Sequence, residues 1–137
     1  MATGPVEEER GAWNPRGIAF VAMLSVFPAA VLHALNYKRL GRPDLLRPTL
    51  VRNLVVALLA YAVVPFVGLA GTELCVLWIA LLHIAGAVYC QNSQFVLFMK
   101  HVGRGGKEAS VAAPAFGLFV LFGVAFVLLM MAARTLD

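Results

Sequence analysis

The chain has 137 residues, of which 61% are hydrophobic and only 13% are charged, with a net charge of +4. Soluble domains carry about 25% charged residues, so this chain has too few charges to cover a soluble surface. Together with a mean hydropathy of +0.85, this composition excludes an ordinary soluble domain and predicts an integral membrane protein. The basic residues form no basic domain, so we expect no nucleic-acid partner.

Four apolar stretches are each close to the roughly 20 residues that a helix needs to cross the hydrocarbon core. We predict spans at residues 17–35, 54–70, 74–93 and 112–133. The acidic segment EEER precedes the first stretch and does not fit the basic start of a cleavable signal peptide. The sequence therefore predicts one all-α transmembrane domain over residues 1–137, a four-helix bundle made of two helical hairpins.

Basic residues are concentrated in two predicted loops, 36–53 and 94–111. Loops of this kind stay in the cytoplasm and contact anionic lipid headgroups. We therefore predict that both loops are cytoplasmic, that both termini are outside, and that Trp13 and Trp78 both lie at the outer interface. The predicted headgroup contacts are Lys38, Arg39, Arg42, Arg47, Arg52, Lys100, Arg104 and Lys107.

The turn after the first span reads LNYKRLGRP, residues 35–43. It resembles the turn of small uncharacterised bacterial four-helix inner-membrane proteins, in which Asn, an aromatic residue, basic residues and Leu-Gly-Arg or Leu-Gly-Lys follow the first span. The segment GRGGKEAS, residues 103–110, before the last span also fits these proteins. The resemblance implies a multi-pass protein of the bacterial inner membrane, and it implies no activity, cofactor or catalytic residue.

The segment YCQNSQF, residues 89–95, places four polar side chains in a row near the end of the third span. At about 1.5 Å per residue, Gln91 and Gln94 lie about 26 and 30 Å along the helix from Leu74. At this distance from Leu74 the helix is close to the other end of the hydrocarbon core. Polar residues of the first two spans reach the same level. The sequence therefore predicts a polar layer on the cytoplasmic side, formed by His33, Asn36, Asn53, Gln91 and Gln94.

Two interpretations of this layer remain open. It could provide interhelical hydrogen bonds and interface solvation. It could also be a small inward-facing site, or a constriction in an assembly.

The sequence has few residues that could ligate a cofactor, form a disulfide or act in catalysis. His33 and His83 could ligate a haem, but their counted depths differ by about 10 Å, whereas two axial ligands need matching depths. Cys75 and Cys90 are about 22 Å apart along one helix, too far for a disulfide. No metal-ligand cluster, nucleophile–base pair or paired carboxylates occur in the sequence. We therefore predict no enzymatic activity, no metal and no cofactor.

These observations favour a structural, accessory or complex-assembly role in the membrane. The partners would be the lipid bilayer and either further copies of the chain or a larger membrane complex. A first alternative is an oligomeric transport or pore-forming protein whose path passes the polar layer. A second alternative is a haem- or redox-linked membrane anchor.

Overall fold

The computed structural model describes residues 11–134 and is mostly helical. The EEER segment, residues 7–10, lies outside this range. Two short strands and six α-helices follow one another along the described residues, with a 3-10 turn at Pro43–Leu45 before the third helix. They are β1 (Ala12–Trp13), α1 (Pro15–Leu24), α2 (Val26–Arg39), α3 (Leu46–Ala62), α4 (Val64–Ala70), α5 (Thr72–Gly103), β2 (Glu108–Ala109) and α6 (Ala112–Arg134).

Three helical stretches are long and apolar enough to cross a membrane: Pro43–Ala70, Thr72–Gly103 and Ala112–Leu129. They contain the predicted spans at residues 54–70, 74–93 and most of 112–133. The first two helical stretches also continue into the predicted basic loops. The protein therefore has the character of a membrane protein, as its composition predicts.

The prediction of one crossing helix over residues 17–35 is wrong. Helix α1 ends at Leu24, Ser25 is extended (φ −161°, ψ 130°), and α2 begins at Val26. The end of α2 returns to the start of α1, because an Arg39 Nη1–H donates to the Gly11 carbonyl oxygen at 2.7 Å. Helices α1 and α2 therefore form a hairpin that enters and leaves at one end of the bundle, here called the re-entrant hairpin.

The break at Ser25 has a local cause in Pro28. Proline has no N–H to donate to the carbonyl of Leu24, and its ring clashes with that carbonyl. The Ser25 N–H still closes α1 by donating to the Val21 oxygen at 2.8 Å. With 10 and 14 residues, α1 and α2 are about 15 and 21 Å long, too short to cross a core of about 30 Å.

Gly86 marks how deeply the hairpin reaches. A Cβ on Gly86 would lie 3.2 Å from a Val26 methyl carbon and 4.0 Å from the Ala22 Cβ, so the tip of the hairpin packs here. Gly86 is about 20 Å along α5 from both Glu73 and Lys100, the charged residues that bound the apolar stretch. The tip therefore lies near the middle of the apolar layer.

The pairing of the two strands shows which segments of the chain lie at the same end of the bundle. They pair in parallel, with Ala12 opposite Glu108 and Trp13 opposite Ala109. The approach is close, because a Cβ on Gly11 would lie 2.6 Å from the Lys107 carbonyl oxygen. Residues 11–13 therefore lie at the same end as the two basic segments, called here the basic end.

This placement differs from the predicted arrangement of two through-membrane hairpins on the N-terminal side, because residues 11–13 lie at the basic end and not opposite the basic loops. Helix α6 starts at the basic end and passes the hairpin tip, where the rings of Phe27 and Phe122 have centroids 6.1 Å apart. Its C-terminal end is therefore at the far end. The difference has one cause. The hairpin returns the chain to the end at which it started, whereas a crossing helix would have carried the chain to the far end.

Trp13 and Trp78 consequently occupy different ends. Trp13 lies against the Arg39 guanidinium at the basic end, with the Arg39 Cζ 4.1 Å from the ring centroid. The Trp78 indole N–H donates to the Ala60 carbonyl oxygen at 3.2 Å, on the far side of Gly86 along α5. The prediction that both rings share one interface is wrong for Trp13.

The core is built around the re-entrant hairpin. Ile18 and Leu32 are fully buried, and small residues such as Ala22 and Ala29 allow the helices to approach closely. In α6, by contrast, the only buried residue among those whose side chains the structure describes is Ala115. The longer helices thus pack on one side of the hairpin, and their own outer faces are apolar and exposed.

Candidate functional site

The basic end of the hairpin carries a connected group of polar side chains, here called the polar cluster. It consists of His33 and Asn36 on α2, Asn53 on α3, and Ser93 and Gln94 on α5. His33, Asn36 and Gln94 have no solvent exposure. The cluster therefore joins three helices in the protein interior.

Asn36 connects the cluster to the first strand. Its Oδ1 accepts from the Trp13 backbone N–H at 2.8 Å, and its Nδ2 donates to the Trp13 carbonyl oxygen at 2.9 Å. The same Nδ2 donates to Gln94 Oε1 at 2.8 Å. One amide thus satisfies both backbone groups of Trp13 and also holds α5.

Gln94 connects the two residues on α2. While its Oε1 accepts from Asn36, its Nε2 donates to the His33 carbonyl oxygen at 2.6 Å. That carbonyl lies six residues before the end of α2. Gln94 therefore packs α5 against the end of the hairpin by two polar contacts.

The His33 ring is held on both sides. Its Nδ1 is 2.9 Å from Asn53 Nδ2, and its Nε2 is 2.7 Å from Ser93 Oγ. Because the Asn53 amide nitrogen can only donate, Nδ1 is an acceptor and the neutral ring donates its Nε2–H to Ser93. The rings of Tyr37 and Tyr89 meet the imidazole edge-on, with centroids 5.3 and 5.2 Å away.

The polar cluster contains four of the five residues predicted for the layer. Gln91 is half-buried and forms no side-chain hydrogen bond within residues 11–134. Sequence reasoning missed Ser93 as a partner of His33, although it lies beside Gln94 in the polar run. It also missed the Trp13 backbone, for which no local signal exists because 23 residues separate it from Asn36.

The predicted headgroup contacts have several different surroundings. The guanidinium of Arg39 contacts Gly11 and Trp13, whereas Arg42 forms an exposed ion pair with Asp44 at 2.8 Å. The guanidinium of Arg52 contacts the Tyr89 hydroxyl and lies 5.4 Å from the centroid of its ring. Arg52 is exposed despite this contact, and so are the five remaining basic side chains of the set, Lys38, Arg47, Lys100, Arg104 and Lys107.

The second histidine takes part in a separate contact. His83 Nε2 is 2.9 Å from the Tyr61 hydroxyl, which joins α5 to α3 near the hairpin tip. Both ring nitrogens of His33 are already engaged in the polar cluster, so this arrangement does not favour shared haem ligation. Within residues 11–134, no three His, Cys, Asp or Glu side chains gather as a metal site would require.

The chemistry of the polar cluster follows from its partners. Amide, imidazole and hydroxyl groups there bond to one another and to backbone groups, and no buried side-chain N or O in the described residues lacks a partner. Its members can therefore hold helices together without a bound ligand. Comparisons of the chain with protein-family models, curated proteins and solved structures find no match.

Proposed function

We propose that this chain is a non-enzymatic, multi-pass membrane protein with a structural, accessory or complex-assembly role. The observation that supports this most directly is the complete pairing of the polar cluster within the described residues. A buried polar group left without a partner costs about 1–3 kcal/mol, so a fully paired cluster stabilises the packing of its helices. In this proposal the polar residues hold the re-entrant hairpin against α3 and α5.

The proposed location is a bacterial inner membrane, with the basic end in the cytoplasm. Nine of the eleven Lys and Arg residues lie in the segments that the fold brings to the basic end, and a strong positive bias favours the cytoplasmic side. The likeness of LNYKRLGRP to the turn of small bacterial membrane proteins supports the same location. The N-terminal strand would then be cytoplasmic, and the end of α6 would be outside.

Helix α6 offers the surface for an assembly role. Phe126 and Leu129 are 63% and 67% exposed, and the side chains around them are also apolar. In the bilayer this face contacts either lipid or another transmembrane helix. We propose that it packs against a second copy of the chain or a larger membrane complex.

Site-specific photocrosslinking in native membranes tests the assembly role. A photoreactive residue at Phe126 on α6 should give a discrete protein adduct, which mass spectrometry identifies as the same chain or a different protein. The matched control carries the probe at Phe20, an exposed residue of the re-entrant hairpin. Lipid adducts alone at Phe126, with a monomeric protein after extraction into native nanodiscs, would contradict the proposal.

The transport alternative requires a polar path across the membrane. The polar cluster is confined to the basic end, and its three central residues are buried within the chain. A path would therefore have to form between copies in an oligomer. Ion and small-solute flux into liposomes containing the purified protein tests this, and flux above that of empty liposomes would favour transport over the accessory role.

A further inference from the structure

An apolar cavity of about 430 Å³ lies beside the re-entrant hairpin, between α2, α3 and α5. Small-molecule sites in proteins usually have volumes of about 300–1,000 Å³, so this cavity is large enough for a ligand. Its walls are formed largely by small residues, among them Ala29, Ala57, Ala85 and Gly86. The space therefore comes from a local absence of large side chains between three helices.

The cavity has the length of one membrane leaflet. Along α3 it extends from Arg52 to Tyr61, nine residues or about 14 Å, and the hydrocarbon of one leaflet is about 15 Å thick. At its deep end Tyr61 packs on Phe27 of the hairpin tip, with ring centroids 5.3 Å apart. The re-entrant hairpin, which also ends near the middle of the apolar layer, thus forms one wall of a slot open to a single leaflet.

The shallow end of the cavity is polar and positively charged. Arg52, Asn53 and Tyr89 line this end, and none of the residues around the cavity is acidic. The Tyr89 hydroxyl holds the guanidinium of Arg52, which also lies near the Tyr89 ring. A guanidinium presents a fork of N–H donors that suits phosphate, and the Arg52 side chain is exposed at this end of the cavity.

The cavity is also accessible from the surrounding lipid. Val56, which lines it, is 59% exposed, so the cavity is open and not enclosed. We propose that the cavity binds one anionic phospholipid of the leaflet at the basic end. One acyl chain would fill the slot between α2, α3 and α5, and the phosphate would contact Arg52. This binding site is additional to the proposed assembly role and does not depend on it.

Native mass spectrometry of the detergent-solubilised full chain, titrated with phosphatidylglycerol, tests the proposal. The wild-type protein should retain one phosphatidylglycerol more strongly than phosphatidylcholine. Arg52→Gln should weaken retention by about tenfold or more, because a charge-assisted phosphate contact contributes about 1.5–3 kcal/mol. Its matched control is Arg47→Gln, an exposed arginine on the same helix and outside the cavity, which should bind within about twofold of wild type.

A second pair of variants tests the slot itself. Ala85→Phe fills the cavity from an exposed position on α5, where a larger side chain is tolerated, and it should abolish specific retention. Ala113→Phe, at an exposed position on α6 outside the cavity, is the control and should retain the lipid. Unchanged far-UV circular dichroism checks that each variant remains folded.

Four results would overturn the proposal. Equal losses in Arg52→Gln and Arg47→Gln would indicate diffuse attraction to the basic end. Equal retention of phosphatidylcholine would remove the role of the anionic headgroup, and displacement of the lipid by soluble glycerol 3-phosphate would indicate a site for a free anion. Full retention by folded Ala85→Phe would place the lipid outside the cavity.

Discussion

The side-chain amide of Asn36 pairs with the backbone of Trp13 as a neighbouring strand would, accepting from its N–H at 2.8 Å and donating to its carbonyl at 2.9 Å. This contact joins the end of α2 to the segment that precedes α1. It therefore closes the re-entrant hairpin at its open end, while Pro28 and Ser25 turn it at the tip. Gln94 adds the third helix to the same contact.

Asn36→Asp should destabilise the protein although it keeps the shape of the side chain. A carboxylate cannot donate to the Trp13 carbonyl or to Gln94 Oε1, and both acceptors would be left facing negative oxygens in a buried place. We expect a loss of about 1–3 kcal/mol in the free energy of unfolding. Unfolding in detergent micelles followed by circular dichroism measures it. Asn92→Asp, at an exposed position on α5, is the control; equal stability of the two variants would show that the Trp13 contact contributes nothing.

The two glutamines of α5 should respond differently to the same substitution. Gln94→Leu removes two buried hydrogen bonds, one from Asn36 Nδ2 and one to the His33 carbonyl oxygen, so we expect a loss of about 1–3 kcal/mol. Gln91→Leu removes no side-chain hydrogen bond and should change stability by no more than about 0.5 kcal/mol. Chemical unfolding of both variants in the same detergent makes the comparison. A Gln91→Leu effect as large as that of Gln94→Leu would mean that the cluster extends beyond its described contacts.

Gly86→Leu should displace the tip of the re-entrant hairpin. The Cβ alone would lie 3.2 Å from a Val26 methyl carbon, so Val26 at the tip of the hairpin has to shift to admit the leucine. Overpacking of this kind costs about 1–3 kcal/mol. The control is Gly117→Leu on α6, where a Cβ would meet nothing within 4 Å. Thermal unfolding in micelles should distinguish them, and a Gly86→Leu protein as stable as the control would contradict the packing of the tip on α5.

Cysteine accessibility distinguishes the re-entrant hairpin from a crossing helix. In a background where Cys75 and Cys90 are replaced by serine, Arg16→Cys and Lys107→Cys should react with a membrane-impermeant thiol reagent from the same side. Glu73→Cys should react from the opposite side. A single helix through residues 17–35 would put Arg16 with Glu73 instead, so that pattern of labelling would refute the hairpin. Inside-out and right-side-out vesicles supply the two sides.

Three helices could be predicted from the sequence because hydropathy over about 20 residues is a local property. The stretches at 54–70, 74–93 and 112–133 each lie in or largely overlap a long apolar helix. Depth counting also predicts that Asn36, Asn53 and Gln94 lie at similar depth and His33 one turn shallower, since a helix rises by a constant amount per residue. Gln91 belongs to the same predicted layer but makes no side-chain hydrogen bond to the cluster, because depth alone does not give the face of a helix.

Hydropathy and depth do not predict whether the first apolar stretch forms one crossing helix or a hairpin. The nineteen mostly apolar residues from Gly17 to Leu35 satisfy the length of a span, and Pro28 predicts a kink there, as Pro65 does in the next span. Before Pro65 the chain keeps helical angles at Val63, whereas it is extended at Ser25 and reverses there. Proline weakens both helices in the same way, so the local sequence does not decide between bend and reversal.

By itself, the sequence determined that the chain belongs in a membrane, which stretches are apolar, and where the positive charge lies. The tertiary structure alone decided that residues 15–39 turn back at the middle of the apolar layer. The reason is physical: the reversal is held by contacts distant along the chain, from Asn36 to Trp13 and Gln94 and from Gly86 to the hairpin tip. With these contacts, the first strand lies at the basic end, and a cavity about as long as one leaflet lies beside the hairpin.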